Sequence, residues 1–272
     1  MSPKPFSPHV AGIVPVSNYE GEFGLLLPNA CLPLTKNYYM IQHAVVRCAL
    51  AGCDTIWIVC EDDQAPLIRE ICGDFVIDPI SEEKSNFAKF KSQGLKEIPI
   101  YYCPVHPKHR NRRDSYGWSV LQGALTAFHV SSMISKWVIP KNYYISFPFS
   151  YIDDATPRKF RSEMRSRGNI LCSYEGQTVR HGALLDFCMD DVACKQYIYD
   201  LKRSSTGGSG SVEKRWSARY FSLANIFKNG NIDIEMTIPA LEYLSVSDWE
   251  SYTKLLNHTP DITKHLKLWR KK

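Results

Sequence analysis

The chain is 272 residues long, with 44% hydrophobic, 22% charged and 12% aromatic residues. That apolar share excludes a disordered or low-complexity protein, and 15 Gly with 16 Pro excludes a collagen-like or proline-rich one. Lys and Arg number 33 against 28 Asp and Glu, and the resulting net charge of +5 implies by itself only solubility.

The run Val10 to Val16 is uniformly apolar and predicts a buried strand. A long loop, Ser17 to about Lys36, follows it. Tyr39 to Ala51 carries Met40, Ile41, Ala44, Val45 and Cys48 at helical spacing, and Gly52 stops the helix. Thr55 to Cys60 is a second buried strand and Asp63 to Cys72 a second helix. Ile98 to Cys103 is a third strand, with Pro99 near its start where a missing donor matters least. Gly117 to Ile134 reads as a long helix, and Tyr143 to Phe147 as a fourth strand. Further on, Asn169 to Tyr174 and Ala183 to Phe187 predict strands, and Asp190 to Leu201 a helix. Ser204 to Ser211 is a flexible loop, and Ser247 to Asn257 a helix with Ser247 as its N-cap.

Strands that are continuously apolar and alternate with helices indicate a parallel sheet covered on both faces. The expected fold is a single-domain three-layer α/β/α with a mostly parallel sheet and a less regular C-terminal half. No stretch reaches the ~20 apolar residues that span a bilayer, and the start of the chain lacks the apolar core of a secretory signal. Nine cysteines at irregular spacing, with no C-x-x-C pair, read as reduced thiols rather than a disulfide framework or a zinc site. A cytoplasmic protein with no membrane contact is expected.

Ligands of open α/β sheets bind beyond the carboxyl ends of the strands. Three loops meet that description: Ser17 to Lys36, Pro104 to Gly117, and Pro148 to Pro157. The second holds a basic cluster, His106 to Arg113, with Lys108, Arg110, Arg112 and Arg113. Ser115, Tyr116 and Gly117 then open a helix whose first amides favour anions. The cluster is a solvated loop, a phosphate site or a nucleic-acid contact. A second basic stretch, Lys264 to Lys272, closes the chain. Asp153 and Asp154 fit either a helix N-cap or a Mg²⁺ site. His43 reads as core edge, and Arg180-His181-Gly182 as a turn. No G-x-S-x-G, P-loop or G-x-G-x-x-G pattern is present, so hydrolase, kinase and dehydrogenase readings lack support.

The first loop, with Gly21 and Gly24, runs into Leu27-Pro28-Asn29-Ala30-Cys31-Leu32-Pro33-Leu34, then Ile41-Gln42-His43-Ala44-Val45. Together with Ala49 to Val59, this order resembles the opening of the sugar-1-phosphate nucleotidyltransferases. The resemblance is clearest over residues 10 to 60 and returns at Tyr243 to Tyr252. It implies the GT-A, nucleotide-diphospho-sugar transferase fold. A nucleotide-binding half would span about 8 to 155, an acceptor or sugar half about 156 to 260, and a basic tail 261 to 272. It also implies a nucleotide or nucleotide-sugar ligand and, if the protein is active, transfer of a nucleotidyl or glycosyl group with Mg²⁺.

By that resemblance Pro15, Ser17, Gly21, Gly24, Lys108, Arg110, Arg112, Arg113, Ser115 and Gly117 would bind nucleotide or phosphate. The ligand pocket would lie near Ser17, Gly21, Asn29 and Gly117. Three charged positions of the family differ here. The loop from Ser17 to Leu27 has Glu20 and Glu22 but no Arg, the catalytic Lys position is Asn29, and the fourth strand ends in Phe147-Pro148-Phe149 instead of a metal-binding Gly-Asp pair. Asp153 and Asp154 replace that carboxylate only if their loop folds back to the strand ends. The alternative is a catalytically inactive pseudoenzyme that uses the basic loop 106–113 and the tail 264–272 to contact protein or nucleic acid.

Overall fold

The computed structural model describes residues 8–17, 22–25, 27–87, 95–105, 116–206, 223–228, 232–258 and 262–269. The first apolar run forms β1 (Val10–Pro15), buried at every position because it lies in the middle of the sheet. A 3-10 turn (Asn29–Cys31) and a small ribbon, β2 (Pro33–Thr35) with β3 (Tyr38–Tyr39), lead into α1 (Met40–Ala51). The Gln42 side chain accepts from the Tyr39 N–H at 3.1 Å, closing a capping box at the start of α1. Gly52, at φ 93°, ends the helix in a left-handed turn that favours glycine.

The chain continues through β4 (Thr55–Cys60), α2 (Ala65–Cys72), β5 (Phe75–Ile77), α3 (Pro79–Phe87), β6 (Glu97–Pro104), α4 (Tyr116–Ile134) and β7 (Asn142–Ile145). Next come β8 (Ser150–Ile152), α5 (Ala155–Lys159), α6 (Arg161–Ser166), β9 (Ile170–Ser173), β10 (Phe187–Asp190) and α7 (Asp191–Thr206). The last elements are α8 (Leu223–Phe227), β11 (Met236–Pro239), β12 (Tyr243–Ser245) and α9 (Trp249–His258).

An eight-stranded sheet runs in the order β11-β9-β10-β7-β1-β4-β6-β5. Its centre, β7, β1, β4 and β6, is parallel. β10 runs antiparallel between β7 and β9, and β11 is parallel to β9. The chain leaves β1 toward β4 and β6, then returns to β7, so the direction of winding switches between β1 and β7.

Two glycines show the layering. A Cβ on Gly12 would meet Cys48 of α1 at 2.9 Å, and one on Gly123 of α4 would meet Ile13 and Val59 at 2.6 and 2.7 Å. Gly12 and Ile13 are consecutive in β1 and point to opposite faces, so α1 and α4 sandwich the sheet. β8 and β12 pair outside the main sheet. With β2, β3 and α9 they enclose a satellite core that includes Leu34, Tyr38, Tyr151, Val246 and Leu255.

The second half differs from the sequence expectation in three places. The strand predicted at Ala183 to Phe187 is β10, from Phe187. The Leu184 N–H donates to Tyr243 Oη, and its carbonyl accepts from Ser150 Oγ, so this peptide bonds side chains rather than a ladder. The cap of α9 is Asp248, whose carboxylate accepts from the Ser251 N–H at 2.8 Å, with Ser247 bonded to Asp248 instead. α7 extends to Thr206, into the expected loop, and residues 207–211 lie outside the described residues. All nine cysteines are free thiols. Among the described residues no helix is long and apolar enough to cross a membrane.

Candidate functional site

The carboxyl end of β1 is where the predicted site residues begin to meet. The N–H groups of Val16 and Ser17 both donate to Val59 O, at 2.8 and 3.1 Å, so the chain leaves the sheet still tied to β4. The first turn of α4 is bolted to the same place. Tyr116 Oη donates to Pro15 O at 3.1 Å, and Ser119 Oγ to Ser17 O at 3.0 Å. Gly117 is buried between them. Ser17 Oγ is also buried and has no partner among the described residues. Pro15, Ser17 and Gly117 therefore meet at the winding switch, beside the N-terminus of a 19-residue helix, where the crevice of an open α/β sheet is expected.

Asn29 stands half-buried at the head of its 3-10 turn, held by the Leu32 N–H on its carbonyl at 3.1 Å. Cys31 of the same turn lies beside Cys60 at the end of β4, and burial raises its thiol to about 11, which keeps it protonated. Gly24 is exposed at φ 62°. Its neighbours clip the loop to the start of α9. The Glu22 N–H donates to Ser247 O at 2.7 Å, and Trp249 Nε1 to Phe23 O at 3.2 Å. Gly21, Lys108, Arg110, Arg112, Arg113 and Ser115 lie outside the described residues.

The exit of β7 is apolar. Phe147 and Phe149 are buried, and the Tyr116 ring lies 5.6 Å from each. These rings pack together at the exit of β7, where the resemblance would place a metal-binding carboxylate. Behind them is a buried ion pair that sequence reasoning missed. Arg47 of α1 donates to Phe147 O (2.6 Å), Ser146 Oγ (3.1 Å) and Ser150 O (3.3 Å), and its Nε lies 3.4 Å from Asp186 Oδ2. Asp186 also accepts from Tyr144 Oη at 2.6 Å. Burial pushes its carboxyl above the ordinary range although Arg47 opposes the shift. Both residues interrupt apolar runs, Val45-Val46-Arg47-Cys48 and Leu184-Leu185-Asp186-Phe187, which is the signal that could have found them.

Asp153 and Asp154 turn away from this crevice. Asp153 accepts from the Thr156 N–H (2.7 Å) and Oγ1 (2.9 Å), and from the N–H groups of Leu241 (3.0 Å) and Glu242 (3.3 Å). It caps α5 and splints the approach to β12. Asp154 accepts from His265 Nε2 at 2.6 Å and faces His43 Nδ1 at 3.8 Å and Lys264 at 3.7 Å. Burial would raise its pKa, but His265, His43 and Lys264 together hold it well below the usual carboxylate range. The donors of Thr156, Leu241 and Glu242 occupy Asp153, and among the described residues no cluster of three or more His, Cys, Asp and Glu is arranged to hold a metal ion. These four donors satisfy Asp153 where it stands, whereas Asp154 Oδ1 is buried without a hydrogen-bond partner among the described residues and faces His43 Nδ1, which has none either.

His43 is fully buried rather than at the core edge. Its ring stacks on Tyr151 at 5.0 Å, and burial lowers its pKa to about 4. The basic end is likewise folded onto the body. Lys267 pairs with Glu82 at 2.9 Å, and Trp269 Nε1 donates to Cys72 O at 2.8 Å, while residues 270–272 lie outside the described residues.

Three cavities bounded by described residues lie away from that crevice. One, of about 490 Å³, lies past β9 and β11. Another, of about 580 Å³, flanks α2, and a small one of about 190 Å³ lies beside Asp154.

The topology and the β1–α4 crevice can be set beside known structures. UDP-glucose pyrophosphorylase complexed with UDP-glucose superposes with a TM-score of 0.54 at 12% identity, covering 92% of this chain and 97% of that one. A protein assigned as glucose-1-phosphate thymidylyltransferase from Bacillus anthracis, in complex with a sucrose, gives 0.56 at 10% identity, over 93% and 96%. The fold is that of the sugar-1-phosphate nucleotidyltransferases. Rv0371c from Mycobacterium tuberculosis H37Rv also matches, with a TM-score of 0.50 at 12% identity over 92% of this chain and 100% of that one, and it has been solved in complex with manganese as well. No protein-family model matches the sequence, and no curated protein matches it significantly. At these identities the likeness carries the nucleotidyltransferase-like fold and nothing finer.

Proposed function

We propose that this chain binds a nucleotide or nucleotide-sugar on a nucleotidyltransferase-like fold, with the phosphates seated at the β1–α4 crevice. The observation that carries the reading is the bolting of the α4 N-terminus to the end of β1 through Tyr116 and Ser119, beside the buried hydroxyl of Ser17. A helix N-terminus presents unpaired N–H groups and a partial positive charge, which suits a phosphate. The proposed charge partners are Lys108, Arg110, Arg112 and Arg113, since arginine forks bind phosphate bidentately.

A second reading, the inactive pseudoenzyme, is favoured by a separate observation. Phe147, Phe149 and Tyr116 occupy the exit of β7, and Asn29 is uncharged. Nucleotidyl transfer builds negative charge that a fixed cation or a metal must meet. Turnover of common sugar 1-phosphates with nucleoside triphosphates is therefore expected to be at background.

The test is thermal unfolding with UTP, CTP, ATP, GTP, dTTP and UDP-glucose, with and without Mg²⁺. A ligand at a hundred times its Kd stabilises by about 2.7 kcal/mol, which shifts the midpoint measurably. Arg112→Ala with Arg113→Ala should abolish the shift without altering the unliganded midpoint. No shift with any nucleotide refutes the binding reading. Brisk Mg²⁺-dependent pyrophosphate release that disappears in Asp153→Asn or Asp154→Asn refutes the inactive one.

A further inference from the structure

We infer that the far end of α4 is a docking surface for an anionic lipid bilayer, at the edge of the sheet opposite the proposed nucleotide crevice. Met133 and Ile134 close α4, and Trp137 lies on the 3-10 turn Lys136–Val138 that follows. These side chains are 84%, 69% and 75% exposed. Three of the four most exposed large hydrophobic residues among those described thus fall within five positions. A lone exposed apolar side chain is ordinary, whereas a group of them marks an interaction surface.

The backbone beneath the group is built, not frayed. The Ser135 N–H donates to Ser131 O at 3.0 Å, its hydroxyl accepts from the Trp137 N–H at 3.3 Å, and its carbonyl from the Val138 N–H at 3.2 Å. Lys141 is tied on both sides. Its N–H donates to His9 O at 2.9 Å, and its carbonyl accepts from the Asp191 N–H at 3.1 Å. The apolar side chains are therefore presented on a backbone already ordered by β1 and α7, which lowers the entropy lost on docking.

Charge and area select the partner. From Ser115 to Ile152 the sequence holds no Asp or Glu, while Lys136 and Lys141 stand exposed beside the apolar group. Neither lysine has an ion-pair partner among the described residues. The two acids at the start of α7 are satisfied locally. Asp190 accepts from the Ala193 N–H at 2.6 Å, and Asp191 pairs with Lys195 at 3.1 Å. Three large side chains at ~200 Å² each, exposed to this degree, offer roughly 450 Å². One side of a stable protein pair buries ~800 Å², so a second copy is poorly served. A bilayer asks for less. Apolar side chains enter its boundary by ~5–10 Å, tryptophan settles at the headgroup level, and lysines meet anionic headgroups.

The contact is peripheral, since among the described residues no helix is long and apolar enough to cross a membrane. It also leaves the proposed nucleotide crevice in water. α4 begins there with Tyr116 and its 19 residues extend about 28 Å to the apolar end.

Vesicle flotation with the whole protein tests this, with phosphatidylcholine vesicles alone and with about 30% phosphatidylserine, at about 0.15 M salt. The protein should float with the phosphatidylserine vesicles. Met133→Ser with Ile134→Ser should weaken that binding about tenfold or more, and Lys136→Ala about fivefold, the effect of one lysine at an anionic surface. Brominated lipid should quench a fluorescence component that Trp137→Phe removes. These side chains are exposed, so unchanged unfolding midpoints would show that the variants fold. The response to UTP should be untouched by them, which keeps failure here distinct from failure of the nucleotide reading. The inference is overturned if the protein does not float at about 1 mM phosphatidylserine, a ceiling corresponding to very weak affinity. It is equally overturned if the paired serine variant binds vesicles as well as the natural protein, which would move the contact to the basic loop or tail. A dimer in sedimentation that the serine pair dissolves would overturn it too, with a second copy as the occupant.

Discussion

Replacing Arg47 by Met is the sharpest probe of how the β7 exit is held. Arg47 has no solvent exposure, and its guanidinium serves two carbonyls, Ser146 Oγ and the Asp186 carboxylate. Methionine fills similar length but leaves the two carbonyls bare and Asp186 as an uncompensated buried charge. Breaking a buried pair on one side costs about 3 to 5 kcal/mol. The lower end applies at neutral pH, because Asp186 keeps Tyr144 Oη at 2.6 Å and can take up a proton. For a chain of this size about 3 kcal/mol corresponds to a fall in Tm of roughly 6 to 12 °C.

The pH dependence has a definite sign. Burial already raises the Asp186 pKa while Arg47 pulls it down, so removing Arg47 raises it further. A carboxyl whose folded pKa lies above its unfolded value stabilises the fold below the unfolded pKa and loses that contribution as pH rises through the folded one. The deficit of Arg47→Met should therefore be larger at pH 8 than at pH 5. Urea denaturation followed by circular dichroism measures it. Adding Asp186→Asn removes the stranded charge and should recover more than about 1 kcal/mol of the deficit. A deficit under about 1 kcal/mol, or strict additivity of the two changes, would refute the reasoning.

Three other outcomes follow from the same structure. Burial holds His43 neutral with a pKa of about 4, so stability is fully present above about pH 6.5 and is lost as pH falls toward 4, by about 3 kcal/mol. His43→Phe should flatten that decline in pH-dependent unfolding, and an unchanged slope would exclude His43 as its source. Gly123→Ala places a methyl 2.6 Å from Ile13 Cγ2, and overpacking of about 1 to 3 kcal/mol should exceed the ~1 kcal/mol gained in helix propensity. Its urea midpoint should fall with an unchanged slope, and a rise would contradict the tight α4 contact. Asp153→Ala strips the acceptor from Thr156, Leu241 and Glu242 and should cost about 2 to 4 kcal/mol, with Asp153→Asn recovering part of it. Equal stability of Asp153→Ala and the natural protein would show the cap to be dispensable.

The elements that the sequence determined are those whose signal is local and long. Val10–Pro15 and Thr55–Cys60 lie in the middle of the sheet, so both of their faces are apolar and the run itself predicts a buried strand. α1 shows its period and ends at a glycine whose φ of 93° favours that residue. The order of these pieces carried the likeness to the nucleotidyltransferases. Short strands such as β3, with two residues, and β8 and β12, with three each, are too brief for any period to appear.

The destinations of the polar side chains were decided by tertiary structure alone. Asp153 and Asp154 have the same composition and neighbourhood whether they hold a metal or cap a helix. The choice falls to Leu241, Glu242 and His265, donors more than eighty residues away in sequence. Tyr151, Tyr174 and Tyr243 meet only because β8, β9 and β12 end near one another. Periodicity reports which face of an element is buried. It is silent on which distant donor or ring will meet a given side chain there, since that depends on long-range packing rather than on local backbone preference.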